Sequence, residues 1–75
     1  MSLAASALRA ALDELPAVHA EILRLRYGVD GGEPLGWRAV ARRLGLSWPK
    51  VRDLEAEALA SLATRRELVA LREAA

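Results

Sequence analysis

Apolar positions recur at helical spacing along the chain, and glycine and proline fall between the runs rather than inside them. Leu8, Leu12 and Leu15 stand at i, i+4 and i+7, which places three side chains on one stripe of a helix over about 4–14. Pro16 suits the first position of a second helix, where its missing N–H has no helical partner anyway. Val18, Ile22, Leu23 and Leu25 are the expected buried face of that helix, and Gly28 is placed to close it in the left-handed conformation. The run from Gly28 to Gly36 reads as a loop. Trp37, Val40, Ala41 and Leu44 repeat the i, i+3, i+4, i+7 spacing and predict a short helix over about 37–44, stopped by Gly45. Ser47 is a good N-cap for the next helix, Pro49 is tolerated in its first turn, and Leu46 with Val51 has the spacing of a hydrophobic staple. Val51, Leu54, Ala58, Leu59 and Leu62 carry the buried stripe onward. Thr64 to Glu67 has capping-box spacing, so either a fifth helix starts there or one helix runs unbroken to the end. No stretch shows the β-branched alternation of a strand. The predicted fold class is all-α: a small four- to five-helix bundle forming one domain over 1–75.

Composition limits what such a bundle can do. Of the 75 residues, 16 are Ala, 14 are Leu and 3 are aromatic, so the core is thin and Leu-based, with no room for a deep substrate cavity. There is no Cys, hence no disulfide framework and no thiolate metal site. His19 is the one His, which cannot make a zinc site or, without a Ser and carboxylate around it, a nucleophile constellation. It reads as a surface residue. Asp30 and Glu33 lack the dense alternating oxygens of a calcium loop and read as solvated loop residues. No enzyme activity, metal or cofactor is expected. No apolar run approaches the roughly 20 residues of a membrane span, and no basic-then-apolar leader opens the chain, so a cytoplasmic protein without membrane contact is the expectation.

Net charge is +1, from 11 basic and 10 acidic side chains, which removes bulk charge as an argument for nucleic-acid binding. The charges are nevertheless segregated. Residues 36–52 hold Arg38, Arg42, Arg43, Lys50 and Arg52 and no acid, whereas 53–57 hold Asp53, Glu55 and Glu57 and no base. The basic stretch coincides with a short helix, a Gly-centred turn and a capped second helix. That is the order of a helix-turn-helix, here over about 37–62 with 63–75 as a C-terminal helical extension; in DNA-binding examples the second helix enters the major groove. Two short helices joined by a Gly turn also occur in bundles with no DNA role.

Three stretches sharpen the reading: LRLRYGVDGGEPL (23–35), VARRLGLS (40–47) and VRDLEAEAL (51–59). Together the chain from about Leu8 to Leu62 resembles region 4 of primary-type bacterial sigma factors. The resemblance implies a domain that reads the upstream promoter element, the −35 box, and docks on the flap of the RNA polymerase β subunit. The chain is far shorter than a whole sigma factor, which implies either an excised C-terminal domain or a stand-alone small protein.

The resemblance also exposes departures. The family's recognition helix usually opens with Arg and then Glu as base readers, with Gln four positions after that Glu; here those positions are Trp48, Pro49 and Asp53. Lys50 and Arg52 stay basic. Where the family usually carries Lys or Arg, this chain has Glu57, Ala60, Ser61 and Ala63. The candidate DNA-contacting set is therefore Arg38, Arg42, Arg43, Ser47, Trp48, Lys50, Arg52 and Asp53. For Arg42 and Arg43, phosphate contact competes with a plain solvated helix end, which is itself favourable for cations. Trp48 has three readings: a partner-binding aromatic, a contact to a thymine methyl, or a cap packed on Leu46. Trp37, at a family apolar position, and Tyr27 are expected to be packed in the core or against the loop. Glu55 matches a family position and is expected to face away from DNA. Two functions follow: promoter recognition with polymerase docking, or a protein-binding module that keeps the sigma fold and holds polymerase, an anti-sigma factor or another regulator.

Overall fold

The computed structural model describes residues 3–74, with side chains over 7–66. It contains four helices in the order α1 (Leu3–Asp13), α2 (Ala17–Tyr27), α3 (Trp37–Leu44) and α4 (Trp48–Ala74). The short third helix has the bounds that its apolar spacing predicts. Pro16 lies one position outside α2, in an extended conformation (φ −53°, ψ 147°), and its carbonyl accepts the Ala20 N–H at 3.0 Å. Among the described residues there is no fifth helix. Thr64 does not cap a new one; its hydroxyl donates to the Ala60 carbonyl one turn back at 3.0 Å, which lets α4 run on.

Two apolar clusters hold the helices together. The first joins α1 to the middle of α2 and α4 through Leu12, Leu15, Ala20, Leu23 and Ala58, with Val29 and Leu62 at its margin. The second joins α3 to the other side of α2 and the start of α4 through Ile22, Val40, Ala41, Val51 and Leu54. Leu25, Leu35, Leu44 and Leu46 close around it. α2 and α4 contribute to both, so they form the spine on which the helix-turn-helix is seated. Fully burying a Leu or Ile is worth about 1.5–3 kcal/mol, and a chain this short has only a few such residues.

The expected stripes were too broad at their edges. Val18, Leu8 and Leu59 are each about two-fifths exposed, and Ala20 takes the buried place on α2. Leu59 lies about 80° round the helix from Val51, at the rim of the face that α2 and α3 cover.

Two glycines set the geometry of the turns. Gly28 (φ 62°) and Gly45 (φ 69°) both close their helices in the left-handed conformation, with N–H groups bonded to the carbonyls of Arg24 and Ala41. They differ in their surroundings. A Cβ on Gly28 would lie 2.3 Å from the Gly32 carbonyl oxygen, whereas one on Gly45 meets open space. The loop folds back onto the helix end at Gly28, and Leu35 N–H bonds to the Leu25 carbonyl at 3.0 Å. Gly45→Ala should therefore cost about 1–2 kcal/mol, the penalty of the left-handed region. Gly28→Ala should cost about 2–4 kcal/mol, because overpacking adds to that penalty. Urea denaturation of both variants checks the order; equal losses would show that the close approach of Gly32 carries no energy.

Candidate nucleic-acid interface

Each helix of the helix-turn-helix opens on a tryptophan, Trp37 for α3 and Trp48 for α4. The two indoles stack across the turn with centroids 6.2 Å apart and planes 9° from parallel. Both remain over a third exposed. Trp37 is thus not a core residue; it forms the floor under Trp48, which stacks on it. Parallel, offset rings suit the indole quadrupole and add to simple burial.

Trp37 is itself fixed from below. Its Nε1–H donates to Glu55 Oε1 at 3.0 Å. The other carboxylate oxygen accepts from Arg26 Nε at 2.6 Å, and Arg26 Nη1 donates to the Leu35 carbonyl at 2.9 Å. Glu55 is the one charged residue among the described residues that is buried. The network ties α2, the end of the glycine loop, α3 and α4 at one point. The Arg26 guanidinium also lies over the Trp37 and Tyr27 rings, at 5.4 and 5.7 Å from their centroids. Tyr27, expected to be packed, is half exposed and serves as one wall for that cation.

This arrangement accounts for the acidic turn in α4. Glu55 faces inward. Glu57 is exposed, yet it accepts from His19 Nε2 on α2 at 3.0 Å, and His19 is mostly covered rather than a free surface residue. Asp53 accepts from Nε and Nη2 of Arg52, at 3.3 and 3.2 Å. All three carboxylates are engaged within the domain.

The basic residues divide the same way. Arg24 pairs with Asp13 and lies 3.8 Å from Asp30, Arg26 pairs with Glu55, and Arg65 pairs with Glu14. Arg38, Arg42, Arg43 and Lys50 are exposed, and no carboxylate among the described residues pairs with them. Arg42 and Arg43 lie in the last turn of α3, and Lys50 in the first turn of α4. Ser47 Oγ accepts the Lys50 N–H at 3.3 Å, which is the N-cap that its position predicts. Arg38 and Arg52 flank Trp48, their guanidinium carbons 5.7 and 5.6 Å from its ring centroid. The eight candidate residues therefore lie on α3, the turn and the first two turns of α4.

A family model described as sigma-70, region 4 matches residues 11–64, most of the chain. The chain belongs to the sigma-70 region 4 family. Two curated relatives agree. RNA polymerase sigma factor SigA2 of Synechococcus elongatus is 38% identical over 63 residues, covering 84% of this chain and 20% of the relative. RNA polymerase principal sigma factor HrdC of Streptomyces coelicolor is 43% identical over 58 residues, covering 77% of this chain and 17% of the relative. The chain thus spans about a fifth of the length of these relatives. No solved structure matches it. The molecule is a transcription domain of sigma-factor type, and α3 and α4 are its helix-turn-helix.

Sequence reasoning missed the partnership of the two tryptophans and the role of Arg26. The one signal was their placement, since each indole stands at the opening of a helix of the motif. Arg26 and Glu55 are 29 residues apart, and no periodicity links them.

Truncating Glu55 leaves Arg26 and the Trp37 N–H without their acceptor. Glu55→Ala should cost about 2–3 kcal/mol, below the usual figure for a broken buried pair because Arg26 keeps some solvent contact. Glu55→Gln retains a neutral acceptor and should cost about 1–2 kcal/mol. Urea denaturation followed by tryptophan fluorescence measures both, and a Glu55→Gln variant as stable as the parent would show that the charge itself contributes nothing.

Proposed function

We propose that this domain binds promoter DNA through α3 and the first turns of α4, and that it docks on the flap of the RNA polymerase β subunit. It acts in the cytoplasm as a regulatory binding domain rather than an enzyme. The observation that carries the DNA reading is the set of exposed cations with no carboxylate partner among the described residues: Arg38, Arg42, Arg43 and Lys50. Arg24, Arg26 and Arg65, by contrast, spend their charge on the domain's own carboxylates. Lys and Arg that meet phosphates release condensed counterions, which gives salt-sensitive affinity. Ser47 and Trp48 place the helix end at the groove, and Arg52 with its partner Asp53 borders it.

Fluorescence anisotropy against promoter-like and random duplexes, over a salt series, tests this. Four to five phosphate contacts predict a slope of log K against log salt of about −3.5 to −4.5. Arg43→Ala should flatten that slope by about one and weaken all sequences alike. Arg52→Glu should abolish binding. Absence of saturable binding to any duplex at low salt sinks the proposal.

A second reading, a protein-binding module that has given up DNA, is favoured by the partly exposed stack of Trp37 and Trp48, since aromatic residues beside arginine are typical interface anchors. Titration of a purified β-flap fragment or an anti-sigma factor separates the two. Flap binding that Trp48→Ala weakens, with no DNA binding, would establish the second reading over the first.

A further inference from the structure

We infer that Trp48 is a specificity-determining residue that reads a thymine 5-methyl group in the major groove. The inference rests on the DNA reading above and deepens it. Trp48 is the first residue of α4, the helix-turn-helix position whose side chains reach base edges. An indole has a single N–H donor and no acceptor, so it cannot form the bidentate pair with guanine O6 and N7 that arginine forms. The thymine methyl is the apolar feature that the major groove offers, and apolar side chains contact it.

The residues around Trp48 leave the reading to it. Arg52, one turn further along the same face, has its Nε and Nη2 on Asp53, so its fork is already occupied. Arg38, which has no carboxylate partner among the described residues, flanks the indole as a cation suited to a phosphate beside the base step. The ring is held in place rather than left to rotate. It stacks on Trp37, and Trp37 is fixed through Glu55 to Arg26. Rigidity matters here because an apolar contact has no directional bond to restore its register. A shallow recess lined by Gly36, Trp37, Arg38, Ala39 and Trp48 adjoins the ring.

The test starts from duplexes selected by the 75-residue chain from a random library. Each thymine of the selected site is then replaced singly by uracil, which removes only the methyl group. One or two positions should weaken binding about fourfold, the worth of one buried methyl. Trp48→Ala should bind with no uracil effect at those positions, and Trp48→Phe should keep part of it. Trp48→Arg should select guanine there instead. Helical content measured by circular dichroism confirms that each variant is folded. A selected site without a uracil-sensitive position, or a uracil effect that persists in Trp48→Ala, overturns this inference and leaves the DNA reading standing. Failure to select any duplex overturns both.

Discussion

A carboxylate moved out of water must recover its hydration from the protein, and Glu55 does so with two donors from two different elements. This demand organises the domain. Arg26 can reach Glu55 because α2 ends beside the first turns of α4, and the glycine loop is drawn in because the same guanidinium also holds the Leu35 carbonyl. Trp37 can reach Glu55 because α3 starts where that loop ends. One buried acceptor therefore fixes the origin of α3 against α4 more tightly than the second apolar cluster could alone. Val40, Ala41, Val51 and Leu54 are small or slender side chains with few directional constraints.

That anchoring has a consequence on the outer surface. The indole bonded to Glu55 on one side forms the floor for Trp48 on the other, and Trp48 lies between Arg38 and Arg52. The chain of contacts runs from a buried ion pair to a surface cation in four residues. Internal pairing absorbs Asp53, Glu55 and Glu57 and the charges of Arg24, Arg26, Arg52 and Arg65, whereas the cations of α3 and Lys50 remain outward. A net charge of +1 thus conceals a one-sided field. The sum of charges misleads because pairing, rather than composition, decides which of them an approaching polyanion meets.

Much of this architecture was legible in the sequence. The bounds of α3, the caps at Gly28, Gly45 and Ser47, and the contiguous basic surface all follow from local spacing and turn chemistry. Those signals act over one or two helical turns, where i, i+3 and i+4 neighbours are fixed by helix geometry. What was illegible is what acts between elements. Trp37 reads as core by spacing, yet its polar N–H is used on Glu55 and its ring on Trp48, which holds it at the boundary. Thr64 reads as a cap because its spacing fits, but a hydroxyl can equally bond one turn back, and the helix then continues. His19 reads as surface until α4 brings Glu57 to it. In each case the residue type and spacing permit two partners, and only tertiary contact selects one.

The departures from the family pattern lie along α4, at its opening and at Glu57, Ala60, Ser61 and Ala63. The anchoring residues are retained, with Arg26 and Glu55 paired, while the opening of the recognition helix is changed to Trp48-Pro49. Pro49 removes an N–H that the first turn does not use and fixes the backbone there, so the new opening is stiffer without damage to α4. On the proposed reading, Trp48 would exchange hydrogen-bond readout for apolar contact. The two modes differ in what they discriminate. A bidentate pair strongly rejects a wrong base because buried donors are left unsatisfied, whereas a methyl contact forfeits only its own burial. On the proposed reading, such a domain would grip through its remaining cations and accept a wider range of sites, because a stacked ring stands where the family has a charged fork.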